Sequence, residues 1–84
     1  MKKIFLIEIF LDKSINRTDL ILRHLLVATI EARKLAEVIE ETSSSEMIEV
    51  VIEVSDYKKN ENDIKDILMS LGLNRFQIKD ITDA

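Results

Sequence analysis

The stretch KLAEVIEETSSSEMIEVVIEV (residues 34–54) decides the fold, because its first half reads either as the end of a helix or as a strand. The helical reading rests on Ile21, Leu25, Ala28, Ala32, Leu35 and Ile39, a 4,3,4,3,4 series without Gly or Pro. It gives one first helix of about 24 residues and a strand-helix-strand-helix-strand chain, in which a three-stranded sheet is served by a helix far longer than its strands. The strand reading instead ends that helix near Glu31 and turns the chain through Ser43, Ser44 and Ser45 into a hairpin.

Register tests the hairpin, because a slip of one residue moves every side chain to the opposite face. A loop of the three serines pairs Thr42 with Glu46, which sets Val38 opposite Val50 and Ala36 opposite Ile52. Ile39, Glu37 and Leu35 then meet Glu49, Val51 and Glu53, so no Glu directly faces another Glu. A slip by one would set Val38 against Glu49 or Val51 and mix the faces. The hairpin is therefore the preferred reading, with the long helix kept as the alternative.

Outward from this segment the pattern is plainer. Residues 4–11 are almost wholly apolar, with Glu8 the only charge before Asp12, which predicts a central strand buried at least partly on both faces. Asn16 or Thr18 can cap a first helix, with Asp19 favourable near its positive end and Ile21, Leu22, Leu25, Leu26 and Ala28 as its apolar stripe. Asn60 or Asn62 caps a second helix over residues 61–71, where Ile64, Ile67, Leu68 and Leu71 share a face and Gly72 supplies the stop. Phe76 and Ile78 alternate with Arg75, Gln77 and Lys79 in a last, half-exposed strand. The expected fold is α+β: a ferredoxin-like βαββαβ sandwich of a four-stranded antiparallel sheet with two helices on one face, forming a single domain over residues 1–84.

One sheet face is then left open. With Phe5, Ile7, Ile9 and Leu11 turned to the helices, Ile4, Leu6 and Phe10 join Leu35, Ile39 and Val51 in an apolar band, surrounded by Glu8, Glu37, Glu49 and Glu53.

The chain of 84 residues has room for one core and no more. Its 46% hydrophobic and 33% charged residues are those of a folded protein. No apolar run approaches the roughly 20 residues that span a bilayer, which excludes a membrane helix. The Met1-Lys2-Lys3 start faintly suggests a signal peptide, but Glu8 interrupts the apolar run and no small-residue cleavage site follows. Absence of cysteine removes disulfides, thiolate metal sites and cysteine nucleophiles, and fits a cytoplasmic location. The Ile, Leu, Lys and Glu bias, without proline, is compatible with a heat-adapted organism. A net charge of −4 opposes a nucleic-acid partner, since that affinity rests on Lys and Arg neutralising phosphates.

From Arg33 onward the order and spacing carry a resemblance. A first strand closing with Leu11-Asp12, the hairpin, the Ile52-Glu53 strand end, the Leu71-Gly72 helix stop and a final strand with Ile78 and Asp80 resemble the mostly archaeal ferredoxin-like family known as domain of unknown function 211. That family usually has glycines before the second strand, where Ala32-Arg33-Lys34 stand here, and a Lys-Pro where Ser14-Ile15 stand. It usually carries histidine at the position of Phe76, and acids at those of Thr42 and Lys79. The resemblance implies a fold and a tendency to self-assemble, without an activity.

The residues with chemical potential are few. His24 is the only histidine and reads as a surface residue, so a serine has no positioned base to activate it. Residues 56–66, DYKKNENDIKD, lack the glycine and ligand alternation of a calcium loop and read as loop and helix cap. Glu8, Glu37, Glu49 and Glu53 are the candidate ligands for a divalent cation, against the plainer reading of a solvated acidic face that discourages edge aggregation. No other cofactor is expected. The sequence thus leads to a non-enzymatic, self-associating protein, with Ile4, Leu6, Phe10, Leu35, Ile39 and Val51 at the contact between copies. The competing expectation is a small-molecule regulator resembling the amino-acid-binding ACT modules, although residues 12–18 lack the glycine that lets backbone approach a ligand.

Overall fold

The computed structural model describes residues 2–11, 17–44, 46–73 and 75–82. Asn16 and Ser45 lie outside the described residues, and the side chains of Thr18 and Asp19 with them. The elements are β1 (Lys3–Phe10), α1 (Arg17–Ala32), β2 (Glu37–Ser43), β3 (Met47–Val54), α2 (Tyr57–Ser70) and β4 (Phe76–Asp80). All strand pairs are antiparallel, in the order β2-β3-β1-β4. The strand reading of residues 37–43 is the one the molecule adopts, and the long helix is not formed.

What ends α1 is a turn without glycine. Leu35 N donates to Ile30 O (3.1 Å) and Lys34 N to Glu31 O (3.1 Å), the paired bonds of a Schellman motif. The residue between them, Lys34, takes φ 54°, a left-handed conformation that costs a side-chain-bearing residue about 1–2 kcal/mol. Burial of Leu35 beside Ile30 offsets that cost, since both lie in the core. The second helix ends the same way: Leu73 N donates to Leu68 O (2.9 Å), Gly72 N to Met69 O (3.0 Å), and Gly72 takes φ 78°. Here the left-handed position is filled by the residue that tolerates it best.

The core lies on one side of the sheet. Phe5, Ile7 and Ile9 of β1 pair with Ile52, Val50 and Ile48 of β3, and all six are buried together with Leu26 and Ile30 of α1 and Ile64, Ile67 and Leu68 of α2. Both helices therefore cover the same face. The stripe expected for α1 is only partly the buried one: Ile21, Leu25 and Ala28 face outward, with Ile21 56% and Leu25 44% exposed. Two apolar rows lie side by side on this helix, and the Schellman turn selects between them. Docking Leu35 against Ile30 turns the row of Leu22, Leu26 and Ile30 onto the sheet.

The second helix begins earlier than its apolar spacing predicts. Its cap is Asp56, whose carboxylate accepts from Lys59 N at 3.2 Å, rather than Asn60 or Asn62. Asn60 instead donates from its amide to Leu35 O at 2.9 Å, tying α2 to the α1 turn. Tyr57, one residue inside the helix, stacks on Phe5 with ring centroids 3.9 Å apart. Burial, and then the nearby Glu61 carboxylate, push the Tyr57 hydroxyl pKa above its ordinary value.

The hairpin register differs from the one expected from a three-serine loop. Ser44 N donates to Met47 O (2.8 Å), which closes a tighter turn and places Thr42 opposite Glu49 and Glu41 opposite Val50. That register alone would turn Val38 away from the core. A β-bulge between Val38 and Glu40 corrects it, so that Val38 pairs with Ile52 and joins the core rim. Glu41 and Ser43 are left on the helix side, where Arg23 of α1 donates to Ser43 Oγ and stands 4.0 Å from the Glu41 carboxylate. The register also overturns the expectation that no Glu faces another, because Glu37 lies opposite Glu53.

The two left-handed positions yield a paired expectation. Lys34→Gly should raise stability by about 0.5–1 kcal/mol, the relief of backbone strain less the entropy glycine loses on folding. Gly72→Lys should lower it by about 1 kcal/mol or more; an added Cβ meets nothing within 4 Å there, leaving backbone strain alone. Urea denaturation of the two variants checks this, and the opposite order of midpoints would refute the assignment of strain.

Candidate interaction face

The face of the sheet away from the helices is built from alternate residues of the two central strands. Along β1 these are Ile4, Leu6, Glu8 and Phe10, and along β3 they are Met47, Glu49, Val51 and Glu53. Register makes them four cross-strand pairs: Ile4 with Glu53, Leu6 with Val51, Glu8 with Glu49 and Phe10 with Met47. Leu6 and Val51 are half-buried by their neighbours although no helix among the described residues covers them, and Phe10 is 38% exposed.

Of the six residues expected in this band, Ile4, Leu6, Phe10 and Val51 lie on it. Leu35 does not. It precedes β2 and is buried in the core, because the α1 turn needs an apolar residue there to anchor the helix end. Ile39 sits at the bulge, 52% exposed, and borders a groove with Val27 and Glu31 of α1. Sequence reasoning passed over Met47, although it alternates in phase with Val51 and so belongs to the same face. The exposed row on α1 was passed over as a surface too, having been read as core.

The four candidate carboxylates resolve into two pairs. Glu8 opposes Glu49, and Glu37 opposes Glu53. Glu53 lies four positions beyond Glu49 along β3, roughly 13 Å of extended chain. Among the described residues no group of three or more His, Asp or Glu side chains converges on a point where a metal ion could be held. Each pair instead has one lysine: Lys79 Nζ lies 2.9 Å from Glu8 Oε1, and Lys2 Nζ lies 3.4 Å from Glu53 Oε1. The Glu8 side chain is only 13% exposed, so Lys79 supplies charge that water reaches poorly. His24 is exposed on α1, away from this face.

At the end of the sheet nearest the α1 turn, a groove of about 370 Å³ is lined by Lys2, Lys34, Glu37, Glu53, Ser55 and Asn60 among others. It carries charges of both signs with a hydroxyl and an amide, groups that can hold a small zwitterion. Among the described residues no helix is long and apolar enough to cross a membrane. Compared with known proteins, the chain matches no family model, no curated protein and no solved structure.

Like charges directly opposite on a sheet are destabilising, and Glu49 is the member of its pair without the lysine contact. Glu49→Gln should therefore stabilise the fold by a few tenths of a kcal/mol to about 1 kcal/mol. Lys79→Met should destabilise it by about 1–2 kcal/mol, because Glu8 loses its cation while remaining largely desolvated. Thermal unfolding at low ionic strength measures both, and a Lys79→Met variant as stable as the wild type would show that the pair is solvated rather than coupled.

Proposed function

We propose that this chain is a non-enzymatic, ferredoxin-like subunit that self-associates through the open face of its sheet. The observation that carries the reading is the pairing of Leu6 with Val51 and of Phe10 with Met47 on the two central strands, with no helix among the described residues over them. Apolar pairs left uncovered on a sheet face, here with the Glu8 and Glu49 pair between them, are surface of the kind that subunit contacts use. Absence of cysteine and the single exposed histidine support a role without covalent catalysis, and the cysteine-free composition supports a cytoplasmic setting. The element order βαββαβ and the strand order β2-β3-β1-β4 support the ferredoxin-like description, and with it the resemblance to domain of unknown function 211.

Light scattering coupled to size exclusion tests this reading across a concentration series. The wild type should run as an oligomer, and Val51→Lys should lower its mass. Leu25→Lys, on the exposed row of α1, should leave the mass unchanged. A wild type that stays monomeric in both low and high salt would end the proposal, as would dispersal by Leu25→Lys alone.

A second reading rests on the groove beside Lys34. We read it as a site for a small zwitterionic ligand, with Lys2 or Lys34 facing its carboxylate and Glu37 or Glu53 its ammonium group. A thermal-shift screen against free amino acids should then raise the melting temperature for a subset, and do so less for Lys34→Ala. A flat response across amino acids and nucleotides alike would retire it.

A further inference from the structure

The two edges of the sheet are not equally able to accept another strand. Strand β2 is interrupted by its bulge and carries Glu37, Glu40 and Glu41, features that blunt an edge against pairing. Strand β4 runs in unbroken register with β1 from Phe76 to Asp80. Its hydrogen bonds fix which backbone groups remain available. Phe10 N donates to Arg75 O (2.8 Å) and Ile81 N to Ile4 O (2.9 Å), so Arg75, Gln77, Lys79 and Ile81 turn their backbone groups to β1. By the alternation of an antiparallel ladder, Phe76, Ile78 and Asp80 turn theirs outward.

That row is a template on which a second strand can pair, and charge selects the register in which a second β4 could do so. Pairing centred on Gln77 places Lys79 against Arg75 of the other copy, and pairing centred on Lys79 places the two lysines together. Centring on Ile78 sets Ile78 against itself, Gln77 against Lys79 and Phe76 against Asp80, with no like charges opposed. Asp80 does not aim its charge at that phenyl ring, because its carboxylate accepts from the Thr82 hydroxyl (2.6 Å) and amide (2.9 Å) and lies 3.8 Å from Lys3 Nζ.

We infer that two copies join edge to edge through antiparallel β4 strands about a dyad at Ile78, forming an eight-stranded sheet. The inference rests on the self-association proposed above and specifies a second contact within it. The dyad leaves the bulged, acidic β2 at both outer edges, which stops further addition, and it extends the open face of one copy into that of the next.

Gln77→Lys separates this contact from the stability of the protomer. Within one chain the new lysine stands opposite Glu8 and beside a carboxylate pair, where a cation is favourable; across the dyad it faces Lys79, twice. Unfolding of the variant should therefore be no easier, while the dimer dissociation constant should rise about fivefold to thirtyfold at low salt, and less at high salt. Ile78→Pro removes an outward N–H without touching a bond to β1 and should abolish the edge contact. In light scattering, Val51→Lys should leave a dimer, and Val51→Lys with Gln77→Lys should leave a monomer. A wild type that is monomeric throughout overturns both the edge contact and the self-association reading. Oligomers dispersed by Val51→Lys yet indifferent to Gln77→Lys and Ile78→Pro overturn the edge contact alone. In Val51→Lys, where the open-face contact is removed, mass that grows without limit with concentration also overturns it, since that outcome means β2 and β4 of successive copies pair head to tail.

Discussion

The turn at Lys34 and Leu35 is the constraint on which the rest of the molecule depends. By ending α1 at Ala32 it frees residues 37–43 for the sheet, and without that strand Val38 and the Arg23 contacts have no place. Its two hydrogen bonds are local, but its stability is not. Lys34 is held in a left-handed conformation that its side chain disfavours, and the compensation is tertiary: Leu35 and Ile30 enter the same core, and Asn60 of α2 binds Leu35 O. The turn is formed by the packed protein as much as the protein is formed by the turn.

From that turn the rotation of α1 follows. Placing Ile30 under Leu35 puts Leu22 and Leu26 in line with it and leaves Ile21 and Leu25 outside. The helix thus carries apolar residues on two faces and can bury only one, because one layer of helices on one sheet offers a single interior. At the sheet a similar division holds. Beyond Lys3 at the start of β1, the helix-facing positions of β1 and β3 take Phe, Ile and Val, whereas the opposite positions mix Ile4, Leu6, Phe10, Met47 and Val51 with three glutamates.

Much of this was legible in the sequence, and the failures share a cause. Alternation in β1 and β3, the Gly72 stop and the face shared by Phe76 and Ile78 are properties of local pattern, and they stand as read. The register of β2, the row of α1 that is buried and the place of Leu35 are set by contacts between distant segments. A three-serine loop looked sufficient to fix the hairpin, but the turn closed on Ser44 and Met47, and the bulge then repaired the phase for Val38. Periodicity joined Leu35 to Ile21, Leu25 and Ala28 because it assumed one helix through Lys34, and no glycine marked the break. Of the candidate site, the open-face residues on the central strands could be found by parity alone. That the four carboxylates form two separate pairs, each with its own lysine, required the register.

The acidic residues of the open face argue against treating it as ordinary solvated surface. A face whose purpose is solubility has no need for a carboxylate that is 13% exposed and held by one lysine from the neighbouring strand. Glu8 and Lys79 keep a charge in the middle of an apolar band without leaving it unpaired, and they flank Leu6 and Val51 with polar groups of defined position. Such an arrangement penalises any apposed surface that would strip water from Glu8 without replacing Lys79. Under the proposed self-association, the partner is one that meets the band in one alignment, apolar on Leu6 and Val51 and polar over Glu8, and a second copy of the same face related by a dyad can offer that pattern.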